Sequence, residues 1–147
     1  MLASNQCFGS IDDGYFSQVE MYVDWLPVRA PAGGIKLHVS VHESYAEVAA
    51  RSVLPKLREM RVAHKVVRNL EQYRRQLAGK QGGKFITIYT TGQERAQQVV
   101  AALEEELSWL GIMPGPVPTT RDSHHQSAEA RIGQTGLIFM RHFSKSD

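Results

Sequence analysis

The chain has 147 residues, of which 42% are hydrophobic and 22% are charged, as in globular proteins with one domain. Its formal charge of +2 is too small for the polybasic field that drives nonspecific nucleic-acid binding, and Cys7 alone can form neither an internal disulfide nor a cysteine-built zinc site. No apolar run reaches membrane-spanning length, and the first 34 residues lack the pattern of a secretory signal. The sequence therefore predicts a cytoplasmic protein without nucleic-acid or membrane partners.

The N-terminal third leads into the first clear strand. Residues 1–34 contain turn formers and an apolar segment, 19–26, that fits either a strand or a helical turn. The sequence Ile-Lys-Leu-His-Val-Ser-Val-His at 35–42 alternates apolar and polar residues, which predicts a strand with one buried face. Lys36 and His38 project from its other face, roughly 7 Å apart by the strand rise, so together they can grip one anion and donate a proton to it.

A helix and a second strand follow. Ser44 and Glu47 match a capping box, and apolar residues at helical spacing then predict a helix over 44–60. The segment 62–68 is short and rich in β-branched residues, which predicts a strand. Lys65 stands on one face of that strand.

The middle of the chain repeats this alternation. Asn69 can cap a brief helix over 70–77, and Lys-Phe-Ile-Thr-Ile-Tyr at 84–89 is the strongest strand pattern in the sequence. Thr91 and Glu94 match a second capping box. A stripe of apolar residues then predicts a helix that ends near Gly111.

The C-terminal part predicts a long polar loop over 117–134 and a last strand over 137–143, which contains Arg141. The order of strands and helices predicts an α+β fold, with one mainly antiparallel sheet covered by helices on one face. We expect one domain over 35–143, with 1–34 packed on it or flanking it and 144–147 as a tail.

Several motifs, taken in order, resemble one known family. They are Lys36-x-His38, the isolated strand lysine Lys65, the segment Gly-Lys-Phe-Ile-Thr-Ile-Tyr at 83–89, and the C-terminal strand with its arginine. This order resembles the phosphothreonine lyases, which include the OspF/SpvC-type effectors of bacterial pathogens and the N-terminal lyase domains of class III and class IV lanthionine synthetases. The resemblance covers about 34–143, and Gly-Lys-Phe-Ile-Thr-Ile-Tyr, together with Pro-Gly-Pro followed by an arginine, is closest to the lanthionine-synthetase branch.

The resemblance implies a reaction and roles for three residues. Such enzymes remove phosphate from phosphoserine or phosphothreonine by β-elimination, which leaves dehydroalanine or dehydrobutyrine, and they use no metal or other cofactor. Lys65 resembles the general base that takes the α-proton. His38 resembles the general acid that protonates the leaving phosphate, and Lys36 resembles the lysine that neutralises charge near the reacting centre.

The resemblance also implies a set of phosphate-binding residues. Tyr89 matches the strand tyrosine of the family, and Arg121 and Arg141 fall where arginines hold the phosphate. The stretch between the two is longer than expected, which makes Arg131 a candidate substitute for one of them, with a loop charge outside the site as the alternative. One further family arginine lies upstream of the third strand, and the residues that compete for that role are Arg74, Arg75, Lys80 and Lys84.

This chemistry needs a base with unusual properties. The α-proton of a peptide is a very weak acid, so the base must be strong and yet unprotonated near neutral pH. A lysine meets both demands only if desolvation and neighbouring cations lower its pKa. Lys36, Arg121 and Arg141 would supply those cations for Lys65, and they would also stabilise the negative charge that develops in the transition state.

Other functions remain open from the sequence. A metal site is one alternative, because His38 and His42 share a strand face and His124 adjoins His125, although no carboxylate or cysteine stands at a recognised ligand spacing. A non-catalytic module that binds phosphopeptides is another, and so is a host-directed effector, which would require export. We favour a bacterial enzyme of lanthipeptide-type biosynthesis, with a phosphorylated peptide as substrate and a separate kinase and cyclase as partners.

Overall fold

The computed structural model describes residues 2–8, 16–18, 22–25, 31–79, 82–118 and 129–144. In chain order, its elements are β1 (Phe16–Gln18), β2 (Tyr22–Trp25), β3 (Gly33–Val39), a 3₁₀ turn (Glu43–Tyr45), α1 (Ala46–Glu59), β4 (Ala63–Val67), α2 (Leu70–Gln76), β5 (Ile86–Thr90), α3 (Gln93–Leu107), β6 (Ala130–Ile132) and β7 (Ile138–Ser144).

The described strands form one sheet in the order β1-β2-β4-β5-β3-β7-β6. Every pairing between neighbours is antiparallel. The strand β3 lies between β5 and β7, and it pairs with β7 along all of its residues from Gly33 to Val39. The predicted α+β class, with a mainly antiparallel sheet and helices on one face, is confirmed.

The helices cover the face of the sheet that alternation assigns to the core. Ile35, Leu37 and Val39 of β3 are at most 2% exposed, and they belong to one hydrophobic cluster with the buried stripes of α1 and α3. Because apolar burial contributes roughly 25 cal/mol per Å², this face supplies the driving force for folding. The side chains of Lys36 and His38 are therefore turned away from the helices.

The predicted helix starts were only partly right. Asn69 caps α2 as predicted, because its side chain accepts a hydrogen bond of 2.8 Å from the backbone N–H of Gln72. Neither predicted capping box forms. Ser44 lies inside the 3₁₀ turn, where its own N–H donates to His42, and α3 begins after Gly92, which offers no side-chain cap.

The structure decides one segment that the sequence left open between a strand and a helical turn, and it corrects the prediction for a second segment. The apolar segment near the N-terminus contains a strand, β2, and β1 adds a further strand at the edge of the sheet. The loop predicted over 117–134 is wrong at β6, which pairs with β7. Short strands of three residues carry too little alternation to be read from a sequence. Residues 119–128 of that loop lie outside the described residues.

The glycine of the Gly-Lys-Phe-Ile-Thr-Ile-Tyr motif has a structural cause. Gly83 has a φ of +82°, and any side chain there would collide with the carbonyl oxygen of Pro116. Pro116 is held in turn by Ser40, whose hydroxyl donates a 2.6 Å hydrogen bond to that carbonyl. Only glycine fits both the left-handed backbone and the close approach, so the motif fixes how the chain approaches β5, which begins at Ile86.

Candidate active site

The face of the sheet opposite the helices gathers polar residues from three adjacent strands. Lys36 of β3 stands opposite Tyr89 of β5 on one side and Arg141 of β7 on the other. His38, two residues further, stands opposite Thr87 and Phe139 in the same way. Residues directly opposite one another in a sheet point to the same face. The predicted residues Lys36, His38, Tyr89 and Arg141 therefore lie together.

Lys65 joins this group from β4. It stands opposite Thr87 of β5, and its Nζ atom lies 5.9 Å from the centroid of the Tyr89 ring. The Nζ atom of Lys36 lies 5.5 Å from that centroid and 5.4 Å from the centroid of Phe143. All three distances are within the range of a cation–π contact, so the ring of Tyr89 is shared by the two lysines.

The environment of Lys36 favours its neutral form. Burial, followed by the positive charges of Arg141, Lys65 and Lys84, lowers the pKa of Lys36 to about 8, against an opposing effect of Glu129. An ordinary lysine titrates near 10.4. This face of the sheet therefore holds enough positive charge, with little enough water, to destabilise one of its own cations.

His38 is almost fully enclosed, with 2% of its surface exposed. Its Nδ1 atom lies 2.9 Å from the Oε1 atom of Glu129. Burial lowers the pKa of His38, Glu129 acts to raise it, and the charges of Lys84 and Lys36 lower it. The hydrogen bond to a carboxylate is thus the main feature that lets this imidazole carry a proton in a cationic, poorly hydrated surrounding.

Glu129 was missed in the sequence analysis, where it fell in the predicted loop. It also contacts Arg141, whose Nε atom lies 3.2 Å from Oε2, and its own side chain is only 2% exposed. The one signal in the sequence is the alternation over 129–132, Glu-Ala-Arg-Ile, which is too short to predict a strand by itself. In an extended segment this pattern turns Glu129 and Arg131 to the same face, which is the face of the predicted site.

Two further predicted residues lie at the border of this group. Lys84 is 9% exposed, and it is close enough to lower the pKa of both His38 and Lys36. The guanidinium of Arg131 lies 5.4 Å from the ring centroid of Phe139, the cross-strand neighbour of His38. Both cations can therefore add to the positive potential around His38.

One predicted arginine, Arg75, is not brought to this group. Arg75 lies on α2, where its Nη2 atom donates a 2.6 Å hydrogen bond to Glu71, and its side chain is 68% exposed. This is an ordinary helical ion pair between residues four apart. Arg121 lies outside the described residues.

The histidines do not form a metal cluster in the part of the chain that the structure describes. No three side chains of His, Cys, Asp or Glu gather there at ligand distance, and the Nδ1 atom of His42 accepts a 3.1 Å hydrogen bond from the N–H of Ser44. His124 and His125 lie outside the described residues. Among the described helices, none is long and apolar enough to span a bilayer.

This arrangement suits a reaction on a phosphorylated ligand. Arginine and lysine charges on one face can bind a phosphate dianion, a buried histidine can pass a proton to it, and a second lysine stands beside them. The same set of donors is preorganised by four paired strands, so little reorganisation is needed when charge develops.

The family model described as RamC, N-terminal domain, matches residues 16–126, about three quarters of the chain. The chain belongs to this family. The match includes β3, β4 and β5, which carry Lys36, His38, Lys65 and Tyr89. It ends before Glu129 and Arg141.

Solved structures with the same fold come from phosphothreonine lyases. The Chromobacterium violaceum VirA (SpvC) phosphothreonine lyase effector has a TM-score of 0.60 and 16% identity, over 86% of this chain and 64% of that protein. SpvC from Salmonella has a TM-score of 0.59 and 17% identity, over 95% and 77%. OspF from Shigella flexneri has a TM-score of 0.56 and 13% identity, over 95% and 79%.

These likenesses establish the fold of the phosphothreonine lyases for this chain. The chain spans 64% of the length of the Chromobacterium violaceum protein. No curated protein matches the sequence.

Proposed function

We propose that the protein is a phosphoserine/phosphothreonine lyase, a carbon–oxygen lyase that converts a phosphorylated peptide to its dehydroalanine or dehydrobutyrine form. The observation that carries the proposal is the meeting of Lys36, His38, Lys65 and Arg141 on one face of the sheet. The likeness of fold to phosphothreonine lyases supports the same reaction class. A binding module would have no need for a second lysine and a buried proton donor beside its phosphate ligands.

The proposed reaction is a β-elimination. The neutral amine of Lys65 takes the α-proton of the phosphorylated residue, and the electron pair of the Cα–H bond becomes the Cα–Cβ double bond. The Cβ–O bond breaks, and the imidazolium of His38 gives its proton to the departing phosphate oxygen. Lys65 leaves the step as an ammonium and His38 as a neutral imidazole, so one proton must pass back through solvent before the next turnover.

Lys36 and Arg141 would bind the phosphate and stabilise the charge that develops. Arg141 offers a planar guanidinium, which suits phosphate oxygens better than a point charge. Lys36 stands between Arg141 and Tyr89 in the register, and its charge would also favour the enolate-like carbonyl of the substrate. We assign secondary phosphate or peptide contacts to Tyr89, Lys84 and Arg131, and Arg121 remains a candidate for the same role.

The biological setting we propose is lanthipeptide-type biosynthesis. The support is the match to the RamC N-terminal domain, a lanthionine-synthetase-like family, whereas the effectors among the solved structures are at most 17% identical to this chain. A kinase would have to supply the phosphorylated residue and a cyclase would consume the dehydro product. We propose that these activities reside in partner proteins or partner domains.

The proposal is tested by the mass of the product. A phosphothreonine peptide is incubated with the protein in buffer containing a chelator. Elimination leaves a peptide one water lighter than its unphosphorylated parent, whereas a phosphatase regenerates the parent. We expect the lighter product with chelator present. Recovery of the parent hydroxyl, or activity that returns only when zinc is added, would contradict the lyase mechanism.

The binding-only alternative gives a different result in the same experiment. A phosphopeptide-binding module would retain the peptide, as isothermal calorimetry can detect, but would never change its mass. The His38→Ala variant sharpens the distinction, because loss of the acid should slow elimination by about 10²- to 10⁴-fold. A dehydro product formed equally fast by wild type and His38→Ala would remove the acid role of His38.

A further inference from the structure

A carboxylate, Glu129, lies inside the cationic group without a role in the chemistry proposed above. Its side chain is as inaccessible as that of His38, and its two oxygens face two different partners. Oε1 is hydrogen-bonded to His38, and Oε2 lies 3.2 Å from the Nε atom of Arg141. One side chain therefore bridges the residue proposed as acid and the residue proposed as phosphate ligand.

The contact with His38 determines where that residue can hold its protons. A carboxylate oxygen can only accept a hydrogen bond, so the Nδ1 atom of His38 must be the donor at 2.9 Å. A neutral imidazole that keeps its proton on Nδ1 takes up a second proton at Nε2. Glu129 thereby fixes Nε2 as the atom that gains and gives the catalytic proton.

The contact with Arg141 leaves a second edge for a ligand. Glu129 meets the Nε atom, and Nη1 donates a 3.2 Å hydrogen bond to the carbonyl of His142. These two contacts hold the plane of the guanidinium, and among the described residues Nη2 makes no hydrogen bond or ion pair. A phosphate can therefore bind the guanidinium through its Nη2 edge. If Glu129 occupied the phosphate position itself, we would expect its carboxylate to bind that edge.

The contacts of Glu129 with His38 and Arg141 are poorly suited to stabilise the fold. The Oε2 atom is buried and accepts no hydrogen bond from the described residues, because the contact with Arg141 at 3.2 Å is an ion pair without hydrogen-bond geometry. A buried ion pair repays its desolvation only if its remaining lone pairs are satisfied. An incompletely satisfied carboxylate at a reacting centre is more simply explained by what it does to its two partners.

We infer that Glu129 is a positioning residue of the proposed elimination, which orients His38 through Nδ1 and Arg141 through Nε so that both address the same phosphate. This inference rests on the proposed function. Glu129 is not expected to touch the substrate. Its effect on the rate passes through the protonation of His38 and the orientation of the guanidinium.

The central variant is Glu129→Gln, which keeps the shape and an acceptor oxygen but removes the charge. Glu129→Asp keeps the charge on a shorter side chain and tests for partial rescue. Glu105→Gln is the matched control, because it makes the same chemical change at an exposed position of α3. The three variants are compared with wild type as full chains.

The first measurement needs no substrate. Nitrogen NMR of labelled histidine reports the tautomer and titration of each of the six histidines, and the His38 signals are assigned by their loss in His38→Gln. We expect the Nδ1–H tautomer in wild type and in Glu105→Gln. In Glu129→Gln the pKa of His38 should fall, because the neighbour whose charge raises this pKa becomes neutral while the surrounding cations remain. The cations that face His38 are Lys36, Lys84, Arg141, Lys65 and Arg131.

The second measurement is single-turnover elimination from a phosphothreonine peptide and from the matching threonine O-sulfate peptide. Sulfate is a better leaving group and needs less help from an acid. We expect Glu129→Gln to lose about 10- to 100-fold with the phosphopeptide, by analogy with other residues that orient a functional histidine, and clearly less with the sulfated peptide. The loss of rate at high pH, where His38 gives up its proton, should begin at a lower pH than in wild type, and Glu129→Asp should recover part of the rate.

Three results would overturn the inference. Unchanged rates and an unchanged His38 titration in Glu129→Gln would show that the bridge has no positioning role. Equal losses on both peptides with an unchanged His38 titration would show a structural role only. Faster elimination or tighter phosphopeptide binding would show instead that Glu129 occupies the phosphate site and obstructs it.

The two proposals can fail separately. If the wild-type protein eliminates neither leaving group, the proposed function fails. The NMR titration then still decides whether Glu129 sets the tautomer and the proton affinity of His38. If wild type is active and the titration of His38 does not respond to Glu129→Gln, the lyase function stands and the inference about Glu129 falls.

Discussion

The two faces of strand β3 are built from neighbouring residues and have opposite energetics. Leu37 points to the helices and has no exposed surface, and its burial among apolar residues stabilises the fold. Lys36 and His38, on either side of it in the chain, point to the other face. There, burial lowers the pKa of both residues, which means that it disfavours their charged forms.

This difference indicates where the chain gives up stability. The helix-facing side follows the ordinary rule that apolar groups are buried together. The other side collects cations close enough to repel one another, with a carboxylate that compensates only some of them. Proteins tolerate such destabilisation at sites where charge is needed for binding or catalysis. The comparison of the two faces therefore predicts that changes on one face alter folding and changes on the other alter chemistry.

The largest effect is expected from Lys65→Ala. Without the proposed base, elimination from a phosphothreonine peptide should slow by about 10²- to 10⁴-fold, because the α-proton contact matters mainly in the transition state. Phosphopeptide affinity should change little, since Arg141 and Lys36 remain. Single-turnover mass spectrometry gives the rate, and calorimetry gives the affinity.

Lys56→Ala is the control for this change, because Lys56 lies on α1 and forms ion pairs with Glu59 and Glu106 at 3.7 Å. It should leave the rate as in wild type. A Lys65→Ala protein that eliminates as fast as wild type would remove Lys65 as base, and with it the main reason for assigning separate tasks to the two lysines on this face.

The next effect in size concerns pH and phosphopeptide binding. Because the pKa of Lys36 is lowered to about 8, its positive charge is present below that pH and lost above it. The phosphate itself is a dianion throughout this range, with a second pKa near 6. Affinity for the peptide should therefore fall by about 10-fold between pH 7 and pH 9, if the neutral amine contributes no binding. A difluoromethylene phosphonate peptide, which cannot undergo elimination, allows the affinity to be measured at equilibrium.

The Lys36→Arg variant is the control for the titration, because arginine stays charged across this range. Its affinity should be nearly constant between pH 7 and pH 9. If the affinity falls as steeply with pH in Lys36→Arg as in wild type, a group other than Lys36 controls the pH dependence of binding.

The sequence predicts the helix-facing side of the sheet better than the opposite side. Alternation locates Leu37 and its neighbours because the period of two in a strand is fixed by backbone geometry. The placement of Lys36, His38, Lys65 and Tyr89 on one face could not come from alternation alone, since the strand order is not encoded locally. For those residues the prediction depended on a resemblance to a family.

Glu129 and the helix caps were predicted neither from alternation nor from the resemblance to a family. Glu129 precedes a strand of three residues, and one of its two partners, His38, lies 91 residues away in the sequence. Ser44 and Thr91 matched a local pattern, but His42 and Gly92 occupy the capping positions instead. In both cases the tertiary structure selected one of several locally acceptable arrangements.

The smallest expected effect is a change in the free energy of unfolding on substitution of Lys36. It tests the comparison of the two faces most directly, because the adjacent residue Leu37 lies on the other face. Lys36→Met keeps an unbranched side chain against the rings of Tyr89 and Phe143 and removes a half-buried charge that Arg141 repels. We expect the free energy of unfolding to rise by about 0.5–2 kcal/mol, as for other substitutions that relieve a functional site. Leu37→Ala, one position along the strand, should lower it by about 2–5 kcal/mol. Urea denaturation followed by circular dichroism measures both.

The pH dependence of this gain separates charge relief from better packing. Below pH 8 the lysine is protonated in the folded and the unfolded state, so the folded state bears the full penalty of a buried charge and Lys36→Met gains most. Between about 8 and the ordinary lysine value near 10.4, the folded protein binds fewer protons than the unfolded chain. The contribution of Lys36 to wild-type stability therefore rises with pH in this window, and the advantage of Lys36→Met should shrink. If Lys36→Met raises the free energy of unfolding equally at pH 7 and pH 9.5, the increase comes from packing alone. The charge of Lys36 would then not destabilise the folded state.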